Sequence, residues 1–189
     1  MKVIDFYYID LKYIRDLSKV DDNVMSISPQ RGKQKRPFVG VIVLLNGRRY
    51  CIPLTSPKFK FKTMKSQVDL LKIFDESKKD DNGAPKLIGV LNINNMIPVD
   101  EPFISKVDLT IHDNDRSNIK VHKQLMQKQL RWCRAHVDTI ENRANKVYDM
   151  VVNHPDKNCK LVRRSSKFIK LEIIADKLEK KKYNMQINT

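Results

Sequence analysis

Residues 39–62 read Val39-Gly-Val-Ile-Val-Leu-Leu-Asn-Gly-Arg-Arg-Tyr-Cys-Ile-Pro-Leu-Thr-Ser-Pro-Lys-Phe-Lys-Phe-Lys62. Val39–Leu45 is an apolar, β-branched run, and a second strand begins near Tyr50. Asn46-Gly47 between them is the signal of a tight type I′ hairpin, which needs positive φ at both central residues. A two-residue turn sets Leu45 opposite Arg48, Val43 opposite Tyr50 and Val41 opposite Ile52. Extended to the open end, the ladder places Pro37 opposite Ser56 and Arg36 opposite Pro57. Proline cannot donate to a ladder, so pairing stops there and the backbone opens. Arg36, Thr55, Ser56 and Lys58 are thereby expected close together. Two hydroxyls and two cations at a frayed hairpin end suit a phosphodiester. They would equally make a plain turn with a solvated basic edge.

A chain of 189 residues with 41% hydrophobic and 7% aromatic content can bury a substantial core. Lys+Arg number 37 against 22 Asp+Glu, a formal charge of +15. That excess points to a polyanionic partner, because basic residues gain affinity by releasing counterions condensed on nucleic acid. A membrane surface is the rival partner and would want a basic helix with a bulky apolar face. No apolar run is long enough to span a bilayer, and the N-terminal residues lack a signal-peptide pattern, so a cytoplasmic protein is expected. Cys51, Cys133 and Cys159 are far apart and odd in number, which argues against a disulfide framework or zinc site.

In chain order, Val3–Ile9 reads as a first strand and Asp10–Val20 as a short helix with Leu11, Ile14 and Leu17 on one stripe. Asp21–Lys35 reads as a basic loop whose cations Arg31, Lys33, Lys35 and Arg36 run into the hairpin end. Lys58, Lys60, Lys62 and Lys65 interleave with Phe59 and Phe61. As an extended segment this would line lysines on one side as a backbone track and phenylalanines on the other. Val68–Phe74 reads as a strand, Asp75–Pro85 as a polar turn and Leu87–Val99 as β-rich with a bend at Asn94-Asn95. Glu101–Leu109 reads as a short strand or turn. A stripe of Met126, Leu130, Cys133, Val137, Ile140, Ala144, Val147 and Val151 predicts one long amphipathic helix from about Asn118 to before Asn153. Beside the stripe, Lys123, Gln127, Lys128, Arg131 and Arg134 offer a second basic surface. The tail from about 163 to 183 predicts a lysine-rich helix with Phe168, Leu171, Ile174 and Leu178 on one side. It could pack on the domain, lie on RNA or touch a membrane. No repeat or linker divides the chain, so residues 1–189 are expected to form one domain.

No phosphate loop, dinucleotide fingerprint or His-Glu-x-x-His motif occurs. No acidic cluster of the kind that holds magnesium stands out, and Asp80-Asp81, in a lysine-rich turn, is a weak candidate. A phosphodiesterase built on this chain would therefore work without metal or other cofactor. RNA permits this, because its own 2′-hydroxyl attacks the adjacent phosphorus while the protein positions, offsets charge and moves protons.

Leu54-Thr55-Ser56-Pro57-Lys58 after the Val39-Gly40-Val41 strand, Gly89-x-Leu-Asn-x-x-x-Met-Ile-Pro98, and Lys128-Gln129-Leu130-x-x-x-Arg134 on a helix resemble segments of the ToxN/AbiQ endoribonuclease toxins of type III toxin–antitoxin systems. They occur in that family's order over roughly residues 1–150. The resemblance implies an α+β fold, a strongly twisted antiparallel sheet with flanking helices similar to the MazF/Kid toxins. It implies metal-independent cleavage of single-stranded RNA to a 2′,3′-cyclic phosphate, in phage defence or plasmid maintenance. A small pseudoknotted antitoxin RNA, cut from a repeat transcript, would inhibit the toxin in a closed toxin–RNA assembly. Ser56 would be the essential hydroxyl, Thr55 its neighbour, Lys58 the cation at the reacting phosphate and Arg36 a replacement for a lysine found in some members. Guanidinium does not deprotonate, so Arg36 keeps the charge but weakens a proton-transfer role. A non-catalytic RNA-binding module using the same basic face is the alternative.

Overall fold

The computed structural model describes residues 4–24, 38–65 and 67–187. Arg31, Lys33, Lys35, Arg36 and Pro37 lie outside the described residues. In a larger sheet, β1 spans Phe6–Ile9, and β2 (Phe38–Leu45) and β3 (Arg48–Thr55) form the hairpin. Asn46 and Gly47 have φ of 49° and 80°, the left-handed values that a type I′ turn requires. The register follows: Val41 pairs with Ile52, Val43 with Tyr50 and Leu45 with Arg48. Strands β4 (Leu70–Lys79), β5 (Pro85–Asn92), β6 (Ile97–Pro98) and β7 (Ile104–Lys106) complete a seven-stranded sheet in the order β4-β5-β3-β2-β1-β7.

Every pairing is antiparallel, and β3 is the pivot. One edge of β3 holds β2; the other holds β6 at Tyr50 and Cys51 and then β5 at Leu54 and Thr55. Sharing one strand edge between two partners bends the sheet, and the result is strongly curled.

Several elements differ from the sequence expectation. β4 runs to Lys79, so most of the expected polar turn is strand, and only 80–84 turn. Asp80 closes that turn by accepting the backbone N–H groups of Asn82 at 2.9 Å and Ala84 at 3.0 Å. Its carboxylate has a structural task, and no group of three or more metal-ligating side chains occurs among the described residues. The single long helix is two: α3 (Ser117–Ala135) and α4 (Val137–Val152), broken at His136 with φ −120° and ψ 25°. His136 stacks on Trp132 at 3.9 Å, its Nδ1 lying 2.8 Å from the Trp132 carbonyl. The apolar stripe still continues across the break: Met126, Leu130, Cys133, Ile140, Ala144 and Val147 are all buried in one cluster. Burial pushes the Cys133 thiol up to about 12, so it is a packed small hydrophobe.

Of the remaining helices, α1 (Leu11–Ser18) buries Ile14 and Leu17 and leaves Leu11 exposed. α2 is Phe59–Thr63, α5 Cys159–Arg164 and α6 Phe168–Ile187. Of the destinations open to the tail, packing on the domain is the one seen: α6 lies against the sheet. Phe168 and Leu171 are buried, and Ile174 and Leu178 pack against the core. On β3, Arg48 pairs with Asp176 and the Tyr50 hydroxyl donates to Glu172, which also accepts from Tyr148 at 3.0 Å. Lys182 donates to the Pro102 carbonyl and sits 4.7 Å over the Phe103 ring. No described helix is long and apolar enough to cross a membrane.

Candidate active site

The ladder ends at Thr55, where β3 has left β2 and runs beside β5. The Thr55 hydroxyl accepts from the Asn92 amide at 2.5 Å, so the last residue of β3 is tied to the last residue of β5. Ser56, Pro57 and Lys58 follow as exposed, irregular backbone. No carboxylate pairs with Lys58 among the described residues. The sequence holds no Asp or Glu from Thr55 to Val68.

The chain then forms α2 rather than the extended lysine–phenylalanine alternation expected from the period of two. In a helix, positions two apart point to nearly opposite sides, and the two phenylalanines part accordingly. Phe61 is 5% exposed and packs with Leu70, Leu87 and Val90 of the β4–β5 hairpin, whereas Phe59 is 80% exposed. The ammonium of Lys72 donates to the Met64 carbonyl at 2.7 Å at the end of α2. Lys60, Lys62 and Lys65 are exposed around this helix, with Lys60 5.0 Å over the Phe61 ring. They form a cationic collar, not a linear track.

The second motif segment supports this end of the sheet from behind. A Cβ on Gly89 would stand 2.8 Å from the Gln129 amide nitrogen, so the absence of a side chain lets Gln129 lie against β5. Gln129 is buried and donates to the Ile88 carbonyl at 2.7 Å. Lys128 pairs with Asp75 of β4 at 2.7 Å, which fixes α3 to the same hairpin. The three separated motif segments therefore converge: Thr55 touches Asn92, and Gln129 touches the strand that carries Asn92.

The expected basic surface on α3 is largely committed. Lys123 is held by Asp115 at 2.8 Å and by the Thr110 carbonyl, and Gln127 by the Leu109 carbonyl. Arg134 pairs with Asp5 and donates to the Ile4 carbonyl at 3.0 Å. Only Arg131 of that set is exposed without an ion pair among the described residues. Composition could not reveal this, because the acids concerned come from the residue just before β1, from β4 and from the approach to α3. Asn92 was also missed as a site residue. The Gly89-x-Leu-Asn92 segment was visible, but only the β3–β5 register shows that its asparagine reaches Thr55.

A family model described as "Toxin ToxN, type III toxin-antitoxin system" matches residues 5–176. The chain belongs to that ToxN family. It is 31% identical over 149 residues to the Endoribonuclease ToxN of Pectobacterium atrosepticum, covering 78% of this chain and 81% of that protein. It is 35% identical over 146 residues to the Endoribonuclease ToxN of Bacillus thuringiensis subsp. kurstaki, covering 76% and 66% respectively. Among solved structures, AbiQ, a lactococcal anti-phage endoribonuclease of a type III toxin–antitoxin system, superposes with a TM-score of 0.76 at 26% identity, covering 95% of this chain and 99% of AbiQ. A bacterial type III toxin described with its selective inhibition by a non-coding RNA pseudoknot gives 0.74 at 29% identity, covering 94% and 99%. The α+β architecture with a curled antiparallel sheet is thus that of the ToxN/AbiQ structures.

Proposed function

We propose that this ToxN-family chain is an endoribonuclease toxin that cleaves single-stranded RNA by internal 2′-hydroxyl attack, without metal, leaving a 2′,3′-cyclic phosphate. The observation that carries the reading is the end of β3. A threonine hydroxyl clamped by Asn92 fixes the backbone from which an exposed serine and an exposed lysine project, with no carboxylate nearby in sequence. Anionic phosphate is attracted to such a place and a metal ion is not, because the cations are not offset by acids.

The ribose 2′-oxygen forms a bond to phosphorus while the bond to the 5′-oxygen of the next nucleotide breaks. The 2′-proton is given up, and the leaving 5′-oxygen gains a proton. The Ser56 hydroxyl donates a hydrogen bond to a non-bridging phosphate oxygen and fixes the in-line direction. The Lys58 ammonium offsets the charge that develops on those oxygens. Thr55 acts through the backbone that it anchors. Arg36 joins them by resemblance, as a second cation. The inhibitor is a small folded RNA that occupies the same surface and meets Lys60, Lys62 and Lys65, in a closed toxin–RNA assembly. This inhibition supports phage defence or plasmid maintenance in the cytoplasm.

The experiment is cleavage of a labelled single-stranded RNA in excess EDTA, with the ends of the product identified. We expect a 2′,3′-cyclic phosphate, no cleavage of the same sequence as DNA, and loss of cleavage in Ser56→Ala with RNA binding nearly retained. Cleavage by Ser56→Ala at the wild-type rate removes the site assignment. Activity that appears only with added Mg²⁺ removes the mechanism.

A further inference from the structure

Among the described residues, the most exposed of the large hydrophobic side chains lies beside the proposed site. Phe59 is 80% exposed at the start of α2, one residue after Lys58 and three after Ser56. A single exposed apolar residue is ordinary on a protein surface. Its setting is not ordinary, for two reasons. First, the orientation is enforced: burial of Phe61 against Leu70, Leu87 and Val90 fixes the roll of the helix, and that roll turns Phe59 outward. Second, Phe59 follows Lys58 and precedes Lys60 in a segment free of acids, where phosphate would be drawn.

A stacked single strand keeps each 2′-oxygen out of line with the 5′-oxygen that must leave. In-line attack therefore requires that one base beside the scissile phosphate leave the stack. An unstacked base needs a replacement surface, and an aromatic face is the usual one in proteins that bind single-stranded RNA. Three residues span at most about 11 Å, so a base attached to a phosphate at Ser56 is within reach of Phe59. Building on the endoribonuclease reading above, we infer that Phe59 is the platform on which a base flanking the scissile phosphate stacks. The same contact opens the backbone to in-line attack and favours bases with the larger stacking face, purines over pyrimidines.

The test uses Ser56→Ala protein, which binds without cutting, and compares it with the Ser56→Ala/Phe59→Ala and Ser56→Ala/Phe59→Trp doubles. Each is titrated with a single-stranded RNA and with the same RNA carrying abasic riboses at the flanking positions. Loss of Phe59 should weaken binding of the intact RNA about 5- to 150-fold, equivalent to the ~1–3 kcal/mol contributed by one stacked base. The factor should be the same at every salt concentration, because no charge changes, and should disappear with abasic RNA. Phe59→Trp should restore affinity, and its added indole emission should be quenched by RNA beyond any change from Trp132. Unchanged affinity in the Phe59→Ala double, or an equal loss with abasic RNA, overturns the stacking role. The two readings fail separately. Cleavage by the Ser56→Ala protein sinks the endoribonuclease site, whereas an inert Ser56→Ala with an indifferent Phe59 sinks only the platform.

Discussion

Asp75 shows how a toxin with a formal charge of +15 spends some of its few acids. The Lys128 ammonium and the Ser77 hydroxyl hold the Asp75 carboxyl at about 2, well below its ordinary 3.8, with burial opposing them. A carboxylate whose folded value is depressed contributes stability above its unfolded value and loses it as pH falls through the folded one. The Asp75–Lys128 contribution should therefore be complete above about pH 4 and fade towards pH 2. Lys128→Met should lower stability at pH 7 by roughly 0.5–1 kcal/mol, the size expected for a partly exposed pair. The difference between variant and wild type should shrink as pH falls from 4 to 2. Urea denaturation at pH 7, 4 and 2.5 checks both parts, and a constant difference across that range would mean that Lys128 acts through packing alone.

At the scale of elements, α6 is the most consequential. It gives the sheet the buried faces of Phe168, Leu171 and Ala175 and supplies Glu172 and Asp176 to β3. Phe168 lies against Tyr148, stacked at 5.5 Å, and edge-on to Tyr50 at 5.9 Å. Phe168→Ala should cost about 3–5 kcal/mol, read as a loss of thermal stability, and should lower cleavage only as far as the folded fraction falls. The hairpin was legible because Asn46-Gly47 admits one turn, and that turn sets every pair up to Gly40 and Pro53. The apolar stripe on α3 and α4 was legible for a similar reason, as buried faces repeat. The break at His136 was not, because the stripe passes through it without a missed step. α2 was hidden by an alternation that suits a strand. Which phenylalanine finds a pocket is decided by Leu70 and Leu87, residues from a hairpin still to come in the chain. The convergence of Thr55, Asn92 and Gln129 was not legible, because their contacts depend on strand order, which local sequence does not encode.

For the molecule as a whole, the question is which of its many cations are available to a polyanion. Lys123, Lys128 and Arg134 already answer carboxylates, while Lys60, Lys62 and Lys65 do not among the described residues. Counterion release counts only charges that meet phosphates. Lys62→Ala should flatten the plot of log affinity against log salt by about 0.7 for single-stranded RNA. Lys123→Ala should leave that slope alone and reduce thermal stability instead. Salt titrations of both variants in the Ser56→Ala background separate the two classes, and equal slope changes would put α3 on the RNA as well.

The partnership between β3 and α6 also has a meaning in time. Tyr50 and its acceptor Glu172 are 122 positions apart, and Arg48 and Asp176 are 128 apart. During synthesis the strand that ends in Thr55, just before Ser56, emerges long before the helix that covers its buried side. A nascent chain holds the proposed site residues without the fold that positions them. Cleavage is therefore expected only after α6 has been made, because until then β3 lacks the helix that packs behind it.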